Sequence, residues 1–470
     1  MANHRLERMP RARRRVFVIG LDSAAPRLIF DLWRDDLPNL KHLMDGGTWG
    51  ELISITPPIT IPAWACMMVS KDPGQLGVYG FRNRADYAYE RMIIANSNTI
   101  REQAVWDILG QAGRDSILVG VPPTYPPKPI RGHLVSCLLT PSTRGPYTYP
   151  EELRNDIDNL VGEYVVDVAG FRAEDKEGLV RQIYEMTDKR FQVLRYLLRE
   201  KPWEFFMFVE IGLDRIHHAF WRFMDPAHPK YQPGSAYQHV IRDYYRYLDR
   251  ELGTLLELLD DNTVVLVVSD HGAKKMDGGI CVNEWLRREG YLVLKEEPRG
   301  IVPLQRAAVD WARTKAWGEG GYYGRLCLNV KGREPQGIIP IGEYEAVREE
   351  LVAKLEAITD ENGRNIGTRA LKPQTIYREC QNIPPDLIVT FGNLNWRSVG
   401  SLGLNSTYAY ENDVGQDDAN HAQEGLFILY DPSQRERGRV GPAQLVDIAP
   451  TVLALMGFPV PSDMIGQIIG

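Results

Sequence analysis

Six side chains in this sequence are of the kind that holds divalent metal ions: Asp22, the pair Asp214 and His218, the pair Asp270 and His271, and His421. Thr60 adds a hydroxyl as a seventh group. Carboxylates and imidazoles in that number suit a two-metal site, and a bound dication is one of the few devices that makes a threonine hydroxyl nucleophilic at neutral pH. The chemistry they suggest is metal-assisted attack by Thr60.

The local context of each group bears on that reading. Asp22 follows the apolar run VFVIGL, and Asp270-His271 follows VVLVV and precedes Gly272, so both fragments stand where a buried strand ends. An aspartate in that position also serves as a turn former or helix cap. Asp214 and His218 are four residues apart, which places them on one helix face with His217 turned elsewhere; the plain alternative is a helical ion pair. Thr60 precedes Ile61-Pro62, and proline in a first turn marks a helix start. Its hydroxyl then either caps the helix or reacts where free N–H groups favour an anion. His421 lies in the polar stretch DDANHAQEG, and only the count argues for it: a third ligand beside Asp214 and His218 completes a catalytic site.

These fragments need elements to bring them together. Apolar runs at 16–21, 116–121, 205–209, 264–268, 387–390 and 425–429 read as strands, with helical stretches at 175–198 and 237–259 between them. Strands alternating with amphipathic helices predict an α/β fold, a mostly parallel central sheet with helices on both faces. The pattern breaks between about 284 and 384, which holds a helix at 344–358 and a Pro-rich exit at Pro384-Pro385. That interval is expected to be a smaller inserted α+β subdomain. It would cap the site and choose the substrate, leaving 16–283 and 385–470 as the catalytic core and 1–15 as a basic arm.

A chain of 470 residues has room for such a core and insertion. A formal charge of −7 argues against nucleic-acid binding as a main role. Five widely spaced cysteines without a CxxC pair suggest reduced thiols and a cytoplasmic protein. No apolar run approaches the roughly 20 residues of a membrane span. The arginine-rich start lacks a cleavage site after its short apolar run, so it does not read as a secretion signal.

Eight segments in order carry a family resemblance: VFVIGLDSAAPRLIF, PPITIPAWACMMVSKDPGQLGVYGF, LDRIHHAFW, VVSDHGAKKM, LNVKGREPQGII, PPDLIV, HAQEGLFIL and VDIAPTVLALMGFPVP. With them the chain resembles the alkaline phosphatase superfamily, in its branch of type I phosphodiesterases and nucleotide pyrophosphatases with the related bacterial phosphohydrolase/phosphomutase group. The resemblance implies an alkaline-phosphatase-like fold. One metal would be held by Asp214, His218 and His421, and a second by Asp22, Asp270 and His271 with the Thr60 oxygen. Two divalent ions are implied, zinc suiting the ligands best, with manganese or iron as alternatives. The implied activity is hydrolysis of a small phosphodiester or phosphomonoester through a phospho-threonine intermediate. A phosphomutase or phosphotransferase on the same site is the alternative, and a non-catalytic metal-binding protein of this fold a remoter one. Sulfatases carry CxPxR where this chain has Thr60-Ile61-Pro62, which disfavours sulfate esters. The pyrophosphatases place a phosphate-binding asparagine near LGVYGFRNR, where this chain has Phe81 and, slightly beyond, Asn83. Asn83, with Arg82 and Arg84 beside it, and Lys331 with Arg333 in the insertion are the expected phosphate contacts, although a charged surface turn accounts for the last two equally well.

Overall fold

A computed structural model describes residues 14–172, 174–413, 415–434 and 438–470; residues 1–13 of the expected basic arm lie outside these. Five of the six apolar runs form strands of one ten-stranded sheet: Arg15–Leu21, Ser116–Val119, Phe205–Glu210, Thr263–Val268 and Glu424–Tyr430. Arg15–Leu21 lies between Phe205–Glu210 and Thr263–Val268, parallel to both. Ser116–Val119 and Gly132–Val135 extend the parallel array on one side. On the other side Glu424–Tyr430 runs antiparallel to Thr263–Val268 and to Thr48–Ile53. This is the α/β architecture expected, with a mostly parallel sheet.

Continuous apolar strands are needed because both faces are covered. Phe17, Ile19 and Leu21 pack under the helices Lys176–Glu200, Gly212–Met224 and Val240–Leu256, while Val16 and Val18 face Thr60–Val69, Val105–Gln111 and Ile448–Leu455. Asp175 starts the longest helix, its carboxylate accepting the Gly178 N–H at 2.8 Å. Since the three central strands run the same way, their carboxyl ends share one edge of the sheet. Asp22, the helix bearing Asp214 and the Ser269-Asp270-His271 turn all emerge there.

One strand is elsewhere than expected. Leu387–Thr390 belongs to a second, antiparallel sheet in the order Ala316–Glu319, Gly324–Leu328, Leu387–Thr390, Arg369–Leu371. Val347, Leu351 and Leu355 of the helix Tyr344–Glu356 pack into the core of this sheet. The strand Trp396–Val399 then pairs with Gly278–Cys281, so the chain rejoins the main sheet at Glu424 rather than at 385. A four-residue apolar run is satisfied by burial on either sheet, so its hydrophobicity alone does not assign it to one. Among the described residues no helix is long and apolar enough to cross a membrane.

Candidate metal centre

At the sheet edge the backbone turns sharply after Asp22. Ser23 sits at φ 65°, a left-handed conformation disfavoured for a serine, and its N–H donates to Oδ1 of Asp270 at 3.2 Å. The Trp64 indole donates to Oδ2 of Asp22 at 2.8 Å. Arg215 donates to Oδ2 of Asp214 at 2.6 Å. Each carboxylate thus has one oxygen fixed. The other oxygen of Asp22, Oδ1, and that of Asp270, Oδ2, are buried and make no hydrogen bond among the described residues, while Oδ1 of Asp214 meets only His218 Nε2, at 3.1 Å. Two buried carboxylate oxygens without donors are costly unless cations meet them, and their chemistry fits divalent metal ions.

The imidazoles are oriented to match. Nδ1 of His271 lies 3.0 Å from the Gly272 carbonyl, and Nδ1 of His421 lies 2.8 Å from the Pro58 carbonyl. A carbonyl only accepts, so Nδ1 carries the proton and Nε2 keeps its lone pair on the site side. The two rings stack at 3.8 Å and 14°. They meet because Gly272–Lys275 pairs with Ala419–Ala422, which sets Ala273 opposite His421. Two trios result, Asp22 with Asp270 and His271, and Asp214 with His271 and His421; in each the potential ligand atoms lie within 4.8 Å of one another. His271 therefore stands between them. The second trio differs from the implied grouping, because His218 Nε2 is turned onto Oδ1 of Asp214 at 3.1 Å while Asp417 holds its Nδ1 at 2.8 Å. His217 faces away, 3.1 Å from the Tyr245 hydroxyl.

Thr60 is the first residue of its helix, and the cap position belongs to Ile59, whose side chain has no capping atom. The capping alternative is therefore not the one adopted. The buried Thr60 Oγ1 lies 3.4 Å from His271 Nε2, beside the point shared by both trios.

The electrostatics follow from crowding. Burial, then the neighbouring Asp214, pushes the Asp22 carboxyl well up; burial and Asp22 do the same to Asp270. Burial also raises Asp214, but the cations around it, His218 first and then Arg215, outweigh that and hold it well down. Burial drives His271 down to about 4. For His218 burial is overcome by Asp214 and Asp417, and the ring is pushed up to about 9. Crowded carboxyls beside the imidazoles of His271 and His421, both driven down by burial, are what a cation cluster would relieve.

The expected phosphate contacts divide. Arg82 lines the cavity in front of Thr60. Asn83 does not, since its amide closes a turn by accepting from Tyr79 N at 2.7 Å and donating to the Gly80 carbonyl at 2.9 Å. Arg84 is spent on Glu334 at 3.1 Å, and Arg333 on Asp386 at 2.8 Å by both Nη1 and Nη2. Lys331 is exposed on the turn after Val330 and is not part of the cavity wall. Arg84 and Arg333 are thus paired with carboxylates of the inserted region.

Other residues complete the site. Arg215, adjacent to Asp214, is clamped by Asp167 at 2.6 Å. Asp417 accepts from His218, from Arg172 at 3.0 Å and from the Tyr322 hydroxyl at 3.2 Å. The Tyr322 ring stacks on His218 with centroids 4.7 Å apart and lies 4.2 Å from the His421 ring. The one available signal was the acidic doublet Asp417-Asp418 just ahead of His421. The cavity, about 440 Å³, has one wall from the main sheet side, with Thr60 and Arg172, and another from the inserted region, with Glu319, Tyr322, Arg325 and Arg397.

Solved structures share this fold. Phosphonoacetate hydrolase from Sinorhizobium meliloti 1021, in complex with phosphonoformate, is 15% identical with a TM-score of 0.62, covering 95% of this chain and 97% of its own. Human ectonucleotide pyrophosphatase/phosphodiesterase 5 is 12% identical with a TM-score of 0.56, covering 95% and 96%. The murine protein, as an inactive variant in complex with AMP, is 12% identical with a TM-score of 0.56 and covers 97% of both chains. A search of curated protein sequences finds no match. The family description "Type I phosphodiesterase / nucleotide pyrophosphatase" matches residues 16–417. Spanning most of its length in this way, the chain belongs to the type I phosphodiesterase/nucleotide pyrophosphatase family and is a phosphoric ester hydrolase.

Proposed function

We propose that Thr60 is the nucleophile of a phosphoesterase that works through a phospho-threonine intermediate. The observation that carries this reading is the position of its oxygen, 3.4 Å from the His271 Nε2 shared by two trios, in the first of which both carboxylates keep an unbonded oxygen. Asp22, Asp270 and His271 would hold one divalent ion, and Asp214, His218 and His421 the other. Their mixture of imidazole and carboxylate suits zinc first, then manganese or iron. Bound there, the ions would lower the hydroxyl pKa and neutralise charge on the phosphoryl oxygens.

The chain's own groups do the rest. Thr60 Oγ1 forms a bond to phosphorus as the ester oxygen departs with its electron pair, and water then cleaves the phospho-threonine, regenerating the hydroxyl. The first N–H groups of the helix starting at Thr60 have no partner within the helix and favour a phosphoryl oxygen there. Trp64, Ser23 and Arg215 hold the three carboxylates in place, so little reorganisation is needed. The family and the 440 Å³ cavity support a small phosphodiester or monoester as substrate. Five cysteines, all free and four of them buried, support a reducing compartment, the cytoplasm.

The test is hydrolysis of paired aryl phosphate mono- and diesters by metal-loaded protein in water. Release of phosphate or a phosphomonoester without an added acceptor supports hydrolysis. Turnover that requires an acceptor alcohol would replace it with phosphoryl transfer.

A further inference from the structure

Asp214 is held by a series of contacts that begins well behind the metal centre. Nη1 of Arg215 donates to Oδ2 of Asp214 at 2.6 Å, and its other nitrogens go to Asp167, Nε at 2.9 Å and Nη2 at 2.6 Å. This two-pronged clamp sets the direction of the guanidinium. Asp167 lies in an irregular segment, between the helices Leu153–Val161 and Lys176–Glu200, so its own position needs an anchor. The anchor is Arg190. Its Nη2 donates to the carbonyl of Val166, the residue before Asp167, at 3.0 Å. Arg190 is 2% exposed, and each of its side-chain nitrogens has a separate partner. Nη1 donates to Oε2 of Glu210 at 3.0 Å, and Nε to the Tyr164 hydroxyl at 3.4 Å. Glu210 is fixed in turn: its Oε1 accepts from the Gly212 N–H at 2.8 Å and from the Thr187 and Tyr244 hydroxyls at 3.2 Å. Gly212 is the first residue of the helix that carries Asp214 and Arg215. One guanidinium thus joins the start of that helix to the loop that aims Arg215.

We propose that Arg190 is a positioning residue for Asp214, acting through Val166, Asp167 and Arg215 without touching the metal centre. The consequence for metal binding rests on the reading of Asp214 as a ligand. Helix packing alone could be served by an apolar side chain, and a buried ion pair is weak evidence for added stability. What the guanidinium adds is geometry, because its planar fork reaches Glu210, Val166 and Tyr164 with different nitrogens. A lysine would keep a cation beside Glu210 but lacks that fork. The loop bearing Asp167 would then move independently of the helix bearing Asp214. Asp22 should be spared, since its N–H is held by the Glu210 carbonyl at 3.1 Å, which the substitution leaves in place.

Chelator competition with zinc on the metal-stripped full chain tests this. Arg190→Lys should weaken the ion held by Asp214 about fivefold or more, and the ion held with Asp22 and Asp270 by less than about twofold. Asp167→Asn, at a half-buried loop position, should weaken the same ion. Adding Arg190→Lys to Asp167→Asn should then cost less than about a further twofold, because the route is already cut. Equal weakening of both ions, or an undiminished effect of Arg190→Lys in the Asp167→Asn background, overturns the proposal. A second readout needs no metal. The Arg215 Nε–H, observed by NMR with isotope-labelled arginine and assigned by its loss in Arg215→Lys, should exchange with solvent about tenfold faster in Arg190→Lys. An ion pair that serves the fold alone would lower the unfolding midpoint and leave this exchange and the ratio of the two affinities unchanged, which also overturns the proposal. Should Arg190→Lys fail to fold, Arg190→Gln combined with Glu210→Gln leaves no lone buried charge and takes its place, with the same outcomes expected. Faster Arg215 exchange in a chain that binds no zinc sustains this inference and sinks the two-ion reading. Two ions bound, with affinities and exchange indifferent to Arg190→Lys, do the reverse.

Discussion

Nδ1 of His218 lies 2.8 Å from Oδ1 of Asp417, a residue 199 positions away in sequence, and that contact fixes which nitrogen of the ring faces Asp214. Arg172 and Tyr322 bind the other oxygen of Asp417, so the carboxylate has little freedom to leave. A partner that orients a metal-binding imidazole is worth about 10- to 100-fold in metal affinity. Asp417→Asn should therefore weaken binding of one ion by that order and leave the other comparatively tight. Chelator competition with metal analysis checks this; two ions lost together, or none, would contradict the role given to Asp417.

Thr60→Ala should lower kcat by about a thousandfold or more, because the covalent route is lost. The metals should remain, since the carboxylates and imidazoles are untouched. Stability should change little, because Ile59 and not Thr60 occupies the cap position. Thr60→Ser, which keeps a hydroxyl, should recover part of the activity. Single-turnover assays with the metal content measured alongside would show it, and a fully active alanine variant would remove Thr60 from the mechanism.

How much of this was legible in the sequence depended on whether a residue announced itself locally. Asp270-His271 does, because a buried strand that ends on two metal-competent side chains is hard to explain by packing, whereas Asp22 alone reads equally as a turn former and gains weight only from the other fragments. His421 could be proposed only by counting ligands; what places it is the pairing of Ala419–Ala422 with Gly272–Lys275, a long-range event. Asp417 and Arg215 were passed over because their function lies in partners distant in sequence, and charged residues in a loop or on a helix usually face solvent. Asn83 is the opposite case: its neighbourhood resembles a ligand motif, while its amide bonds within its own turn, a local contact that the sequence does not display. Leu387–Thr390 was assigned to the main sheet since an apolar run does not say which sheet buries it.

Acid should destabilise the fold through His228. This ring is 5% exposed and bonds the Asp418 carbonyl at 3.1 Å, and burial drives its pKa down from 6.5 to about 4. The unfolded chain therefore takes up the proton first, so stability is fully present above pH 6.5 and lost as pH falls from there towards 4. With about 1.4 kcal/mol per pKa unit, the loss between pH 7 and 5 is on the order of 2 kcal/mol. Urea unfolding at both pH values should show a slope at least that steep, and His228→Gln should reduce it by about that amount, leaving the share of His217 and His271, which burial also drives down. An unchanged slope in the variant would assign the acid sensitivity to other groups.

Gly20 connects the packing of the sheet to the site. A Cβ there would meet the Phe208 carbonyl at 2.7 Å, the Trp64 ring at 2.8 Å and Val209 at 2.8 Å, and none of these is the free end of a flexible chain. Gly20→Ala should thus cost roughly 1–3 kcal/mol by overpacking. Because Trp64 is also the donor that fixes Oδ2 of Asp22, the displaced indole should loosen that carboxylate and weaken the ion held with Asp270 and His271. Trp64→Phe removes the indole donor while leaving a ring in the same space, so it should weaken that ion with a smaller loss of stability. Unfolding midpoints measured with metal titrations on both variants separate the two effects. Should Gly20→Ala lose stability while binding both ions normally, Trp64 is a packing residue and its bond to Asp22 is incidental.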